Sequence, residues 1–194
     1  KNNEINIEKY WSVDDFNVSK KNLKSLDVYV EEFDSLLKES ITERLISDKP
    51  IGFLLSGGLD SSLIVAIASK ILEKSNINVF NLGFENSIYD ESNDARLVTN
   101  YLDIDLIERR LDAKNLLELM DTFFDKFDEP FSDPACFPLM AISKFAKEKV
   151  DVVLTGDGGD ELFGGYHYYN LMNYHKKFKN LFSFLRKIKI SEVL

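Results

Sequence analysis

Residues 51–62 read Ile51-Gly52-Phe53-Leu54-Leu55-Ser56-Gly57-Gly58-Leu59-Asp60-Ser61-Ser62, and they are the most informative part of the chain. Its apolar first half predicts a buried strand, and the apolar run that follows at residues 63–68 predicts a helix. A strand, a glycine loop and a helix in this order are typical of a phosphate-binding site, because glycines let the backbone approach the ligand and the first N–H groups of the helix point toward it. The lysine of the P-loop motif is absent. Three hydroxyls around one aspartate instead suit a pyrophosphate with a bridging metal ion. We call residues 56–62 the first glycine loop.

The composition is typical of a folded protein and does not favour a membrane or a nucleic acid as partner. Of the 194 residues, 44% are hydrophobic and 29% are charged, and the formal net charge of −9 argues against a broad nucleic-acid interface. The basic segment 175–189 is interpreted as a solvated helical face, with a nucleic-acid contact as the less favoured alternative. No apolar run is long enough for a transmembrane helix, and a single cysteine, Cys136, excludes an internal disulfide framework or a cysteine-based zinc site. We therefore expect a cytoplasmic protein.

Strands and helices alternate along the chain. Strands are predicted at 51–55, 78–84, 105–111 and 151–155. Helices are predicted at 27–47, from the first glycine loop to about 74, at 90–102, 116–127, 138–149 and 170–194. This alternation favours an α/β fold with a doubly wound, mostly parallel sheet. We predict an irregular lead-in at 1–26 and one α/β domain at 27–194, which we expect to be incomplete at its C-terminus.

A second glycine-rich segment follows the last predicted strand. It reads Thr155-Gly156-Asp157-Gly158-Gly159-Asp160-Glu161-Leu162-Phe163-Gly164-Gly165-Tyr166, and we call it the second glycine loop. Aspartate and glycine are also ordinary turn residues, and Asp160 with Glu161 could simply cap a helix. In open parallel sheets, however, ligands bind beyond the carboxyl ends of the strands. If the first and fourth strands are neighbours, Asp60 and Asp160 face one crevice, where two carboxylates and phosphate oxygens would suit Mg²⁺.

The two loops together resemble a known family. The first glycine loop resembles the PP-loop of the N-type ATP pyrophosphatases, and the pair of loops resembles the synthetase domain of glutamine-dependent asparagine synthetases. Segments 89–96 and 128–134 are also similar, and the resemblance covers about residues 27–169. It implies an adenine-nucleotide alpha-hydrolase-like, Rossmann-like fold. It also implies that a carboxylate, aspartate in the name-giving enzymes, is adenylated by ATP with release of pyrophosphate and is then converted by ammonia into an amide.

The resemblance implies a set of site residues. The residues expected to bind ATP or its pyrophosphate are Leu54, Ser56, Gly57, Gly58, Asp60, Ser61, Ser62, Leu82, Gly83, Thr155 and Gly156. Among them, the serines offer hydroxyls, the paired glycines offer backbone N–H groups, and the adenine is expected against the backbone of Leu54, Leu82 and Gly156. Asp60 and Asp160 are expected to hold Mg²⁺.

Asp157 is the expected catalytic residue of the amidation step. Most asparagine synthetases have glutamate at this position, where it serves as a base or proton relay. Aspartate is also a competent acid–base group, but its reach is shorter by roughly 1.5 Å, one C–C bond. The acceptor is therefore left open between aspartate and a carboxylate of a cell-surface sugar or secondary-metabolite pathway.

The partners implied by the resemblance lie partly outside this chain. In this family a glutaminase module with an N-terminal nucleophilic cysteine precedes the synthetase domain, whereas residue 1 here is lysine. Cys136, between two prolines, is predicted to be a buried structural thiol. We therefore expect a fragment that takes ammonia from a glutaminase domain elsewhere, and an oligomer is compatible with the sequence. Two other interpretations stay open: a PP-loop enzyme that modifies tRNA, and a non-catalytic nucleotide-binding module.

Overall fold

The computed structural model describes residues 5, 7–12, 24–85, 90–129, 132–133, 135–169 and 171. The chain divides into two compact units, Lys1–Glu43 and Arg44–Leu194. The first unit contains most of helix α1 (Leu26–Arg44), which begins one residue before the predicted helix and ends three residues earlier. Its described lead-in residues, 7–12 and 24–25, have no regular secondary structure. The helix predicted at 170–194 lies outside the described residues apart from Leu171.

The second unit alternates strands with helices, as the sequence predicts. Its strands are β1 (Ile51–Leu54), β2 (Asn78–Phe84), β3 (Leu106–Leu111) and β4 (Val152–Leu154). Its helices are α2 (Leu59–Ile71), α3 (Ser92–Leu102), α4 (Ala113–Leu117), α5 (Leu119–Lys126), α6 (Cys136–Ala146) and α7 (Gly159–Phe163). The helix predicted at 116–127 is thus two short helices that meet at Glu118.

The described strands form one parallel sheet in the order β3-β2-β1-β4. Strand β1 lies between its two parallel partners, with Gly52 paired to Asn78 of β2 and to Val153 of β4. The chain therefore builds the sheet outward from β1 through β2 to β3, and then crosses to the opposite side of β1. This reversal confirms the doubly wound α/β fold and creates a switch point at the carboxyl ends of β1 and β4, where such folds bind ligands.

Helices cover both faces of the sheet, because alternate residues of the strands point to opposite sides. On one face, Phe53 and Val79 pack with Val65 of α2 and Ala95 of α3, and all four are fully buried. On the other face, Phe80 packs against Phe145 of α6 with the ring centroids 5.5 Å apart in an edge-to-face arrangement. The sheet is therefore a central layer, which explains why β1 is a continuous apolar run rather than an alternating one.

Two further expectations can be compared with the structure. Cys136 is buried at the start of α6 and forms no disulfide, as predicted for a structural thiol. Within the described residues, no helix combines the length and the apolar character that a membrane span requires. The cytoplasmic location stays a prediction.

Gly52 gives a test of the central layer. A Cβ at this position would lie 2.6 Å from Cε2 of Phe80 and 3.0 Å from Cγ2 of Val150. Because overpacking a close-packed interior forces its neighbours to shift, we expect Gly52→Ala to lower the free energy of unfolding by about 1–3 kcal/mol, measured by urea denaturation. The control is Leu97→Ala on an exposed face of α3, where we expect a change within about 0.5 kcal/mol. Equal stability of the two variants would contradict the packing described for Gly52.

Candidate functional site

A cavity of about 810 Å³ opens at the carboxyl ends of β1, β2 and β4. This volume lies within the range of small-molecule sites, and the position is the switch point of the sheet. Nine of the predicted site residues line it: Leu54, Ser56, Gly58, Asp60, Ser61, Leu82, Gly156, Asp157 and Asp160. Both glycine loops therefore contribute to one cavity. Because β1 and β4 are neighbours, Asp60 and Asp160 line the same cavity although they are one hundred residues apart in sequence. This shared position was expected from the sequence.

The other predicted residues lie outside the lining of this cavity. Gly57, with φ of +100°, packs against the start of α3, and a Cβ there would lie 2.8 Å from the backbone nitrogen of Ala95. The hydroxyl of Ser62 is buried without a hydrogen-bond partner among the described residues, and Ser62 lines a separate groove between α2 and α3. Gly83 and Thr155 are not among the lining residues either. Their roles in ligand binding stay predictions.

The first glycine loop is held by hydrogen bonds among its own residues. The hydroxyl oxygens of Ser56 and Ser61 are 3.1 Å apart, and the N–H of Gly58 donates to Ser56 Oγ at 3.1 Å. The Ser61 hydroxyl in turn donates to the carbonyl oxygen of Gly58 at 3.2 Å. The two hydroxyls are thereby fixed at the start of α2, where the unpaired N–H groups and the helix dipole favour an anion.

The second glycine loop packs directly against the first, and glycine makes this approach possible. A Cβ at Gly156 would lie 2.8 Å from the backbone nitrogen of Ser61. A Cβ at Gly159 would overlap the carboxylate carbon and oxygens of Asp60. Any larger residue at position 159 would therefore displace Asp60, so the glycine and the aspartate are coupled across the two loops.

Asp157 lines the cavity and its carboxylate has a defined partner. The hydroxyl of Thr155 donates to Asp157 Oδ2 at 2.7 Å, and the N–H of Asp157 donates back to Thr155 Oγ1 at 3.3 Å. The turn is completed by Gly158, with φ of +93°, and by a hydrogen bond of 3.2 Å from the N–H of Gly159 to the carbonyl of Gly156. Asp157 is thus oriented by the loop that carries it while its carboxylate remains accessible from the cavity.

The two acidic residues that follow have different environments. Asp160 lies against Gly165, because a Cβ at Gly165 would overlap Asp160 Oδ1. Glu161 is outside the cavity lining, and its Oε1 accepts a hydrogen bond of 2.6 Å from the hydroxyl of Tyr166. This bond lowers the pKa of Glu161 and raises the pKa of Tyr166 to about 12. Asp160 and Glu161 both lie in the first turn of α7, which begins at Gly159, so they do not cap a helix that starts after them.

The cavity also has an apolar wall, which was not predicted from the sequence. Phe84 at the end of β2 and three residues of α6, Pro138, Leu139 and Ile142, form this wall. Apolar lining together with a few fixed polar groups is typical of small-molecule sites. Neither the periodicity nor the spacing of these residues indicates it, because it arises when α6 docks on the sheet. Helix α6 begins two residues before the helix predicted at 138–149, so Pro138 lies in its first turn.

Asp60 and Asp160, two of the acidic residues that line the cavity, fit a hard divalent cation. Among the described residues, no group of three or more His, Cys, Asp or Glu side chains could hold a metal ion by itself. Asp60 and Asp160, however, lie beside a loop that suits a phosphate, and Mg²⁺ is commonly held by one or two carboxylates together with phosphate oxygens and water. The donor set therefore fits Mg²⁺ bound together with a phosphorylated ligand.

A solved structure resembles this chain in fold. The glutamine-dependent NAD⁺ synthetase of Acinetobacter baumannii, determined in complex with ADP, aligns with a TM-score of 0.50 and 19% sequence identity over 75% of this chain and 28% of that protein. At this identity the likeness concerns the fold, which is of the adenine-nucleotide alpha-hydrolase-like type.

Sequence comparisons identify closer relatives. Glutamine-hydrolysing asparagine synthetase 1 of Bacillus subtilis is 35% identical over 84% of this chain and 25% of the relative. A Methanocaldococcus jannaschii protein, provisionally named glutamine-hydrolysing asparagine synthetase 2, is 37% identical over 84% of this chain and 31% of the relative. The chain thus spans about a quarter to a third of the length of these proteins. The family model described as asparagine synthase matches residues 32–193. The chain therefore belongs to the asparagine synthase family.

Proposed function

We propose that the cavity binds ATP and that this chain carries the ATP-dependent step of an amide-forming ligase. The observation that supports this most strongly is that the two glycine loops meet at one cavity, with Asp60 and Asp160 both in its lining. The proposed substrate is a carboxylate, aspartate by analogy with the names of the relatives, and the proposed nitrogen source is ammonia from glutamine. A related carboxylate acceptor is the alternative, because aspartate stands at position 157.

In this proposal each wall of the cavity binds a different part of ATP. The N–H groups at the start of α2 hold the phosphates. The hydroxyls of Ser56 and Ser61 keep the loop in place in the absence of ligand, and they would exchange these bonds for bonds to phosphate oxygens when ATP binds. The adenine lies between the strand ends at Leu54 and Leu82 and the apolar wall. Asp60 and Asp160 would hold Mg²⁺, which, when bound, neutralises the negative charge that develops on the departing pyrophosphate.

The proposed reaction has two steps. First, a carboxylate oxygen of the acceptor attacks the α-phosphorus of ATP, the bond from that phosphorus to the bridging oxygen breaks, and pyrophosphate leaves. Second, ammonia attacks the carbonyl carbon of the acyl-adenylate, and the C–O bond to AMP breaks. The attacking nitrogen loses a proton in this step. Asp157 is the proposed acceptor of that proton, because it lines the cavity and Thr155 orients its carboxylate.

The contact between Gly159 and Asp60 gives the first test of this function. We expect the chain to bind Mg·ATP in isothermal titration calorimetry. Gly159→Ala should weaken this binding by about tenfold or more, because the new methyl group displaces the Asp60 carboxylate. The matched control is Gly158→Ala. Its Cβ would meet no atom within 4 Å, but its positive φ should lower the free energy of unfolding by about 1 kcal/mol.

Two outcomes would contradict the proposal. If the folded wild-type chain does not bind Mg·ATP, the proposed nucleotide site is wrong. If the Gly158 and Gly159 variants bind Mg·ATP equally well, the coupling of Gly159 to Asp60 has no part in binding.

Asp157 gives a test of the second step. In a preparation competent for amide synthesis, we expect Asp157→Ala to preserve ATP–pyrophosphate exchange and to slow amide formation by about 100-fold, a typical contribution of a general base. Asp157→Glu, which restores a carboxylate, should recover most of the amide formation. Equal losses of exchange and amide formation in Asp157→Ala would rule out a role confined to amidation.

A further inference from the structure

Asn81 is a buried polar residue in the otherwise apolar strand β2. Its side chain is 2% exposed, and its Nδ2 donates a hydrogen bond of 2.7 Å to the carbonyl oxygen of Leu55. Its Oδ1 is buried and accepts no hydrogen bond from the described residues. A buried acceptor without a donor is rare in folded proteins and calls for a physical reason.

The bond from Asn81 falls at the exit of β1. Leu55 is the residue that joins β1 to the first glycine loop, and it is held from two sides. Its N–H donates to the carbonyl of Phe80 at 2.9 Å, and its own carbonyl accepts from the Asn81 side chain. Two consecutive peptides, Leu54–Leu55 and Leu55–Ser56, are therefore each hydrogen-bonded to β2.

The orientation of this peptide has a consequence for the cavity. The Leu55–Ser56 peptide is trans and planar, so its C=O and N–H point in opposite directions. Because the carbonyl of Leu55 points at the Asn81 amide, the N–H of Ser56 points away from it. Ser56 itself is exposed and lines the cavity, and its hydroxyl is bonded to both Gly58 and Ser61.

We propose that Asn81 is a positioning residue that fixes the Leu55–Ser56 peptide, so that the N–H and hydroxyl of Ser56 are presented to the phosphates of ATP. This inference rests on the proposed function of the cavity. Asn81 also lines the cavity, and its proposed role is exerted through its hydrogen bond to the Leu55 carbonyl. An apolar side chain could not donate a hydrogen bond to the Leu55 carbonyl. The amide of Asn81 can, and burying its unpaired Oδ1 is the energetic cost of that donor.

An isosteric pair of variants tests this role. Asn81→Val removes the donor, whereas Asn81→Thr has the same shape as valine and keeps a hydroxyl donor. The reach of this hydroxyl toward the Leu55 carbonyl is shorter than that of the amide nitrogen by about 1 Å, so we expect it to restore the bond only in part. We expect the Val variant to bind Mg·ATP about tenfold more weakly than the wild type, as for the loss of one ordering hydrogen bond. The Thr variant should bind at least threefold more tightly than the Val variant, measured by isothermal titration calorimetry.

The control separates positioning from stability. Val79 is fully buried two residues earlier on the same face of β2, so Val79→Ala should lower the thermal midpoint and leave the affinity for Mg·ATP unchanged. The Asn81→Val and Asn81→Thr variants should have similar thermal midpoints but different affinities. If these two variants bind equally, or if affinity falls only together with the thermal midpoint, Asn81 is a structural residue and the inference is wrong. A wild-type chain that fails to bind Mg·ATP would instead reject the proposed function itself.

Discussion

The contact between the two glycine loops is the constraint on which the candidate site depends. Gly159 lies so close to Asp60 that a methyl group would overlap the carboxylate, and Gly156 approaches the backbone of Ser61 in the same way. This approach requires β4 to lie beside β1, which the crossover to the far side of the sheet provides. Residues one hundred positions apart thereby line one cavity, and a larger residue at position 156 or 159 would displace part of the first loop.

The layered sheet gives this surface two chemically different sides. Helices α2 and α3 cover one face, and the first glycine loop leads directly into α2. Helix α6 covers the other face and supplies most of the apolar wall. A nucleotide has the same division, with charged phosphates at one end and a flat ring at the other. The proposed orientation of ATP therefore follows from the way each face of the sheet is covered.

Local sequence predicted the strands and loops well because each has a local signal. The apolar run before Ser56 and the glycines after it specify a strand and a turn whatever the surroundings, and the parallel sheet follows from the alternation of elements. The break at Glu118 and the apolar wall depend on how helices dock, which no short window records. Asn81 was missed for a similar reason. A lone asparagine in an apolar strand becomes informative when its partner, the carbonyl of Leu55, is known.

Charge balance links the carboxylates of the cavity to the backbone of the loop. The described residues that line the cavity include Asp60, Glu91, Asp157 and Asp160 but no lysine or arginine. Carboxylates and phosphates repel each other strongly in a partly desolvated site, so these residues by themselves would oppose the binding of ATP. A divalent cation held by Asp60 and Asp160, as proposed above, would reduce this repulsion. The N–H and hydroxyl groups at the start of α2 also compensate the negative charge of the phosphates.

Because no lysine or arginine among the described lining residues attracts the phosphates, the binding energy is sensitive to the direction of each N–H group. This is the physical reason why a single buried amide that orients the Leu55–Ser56 peptide can matter for binding.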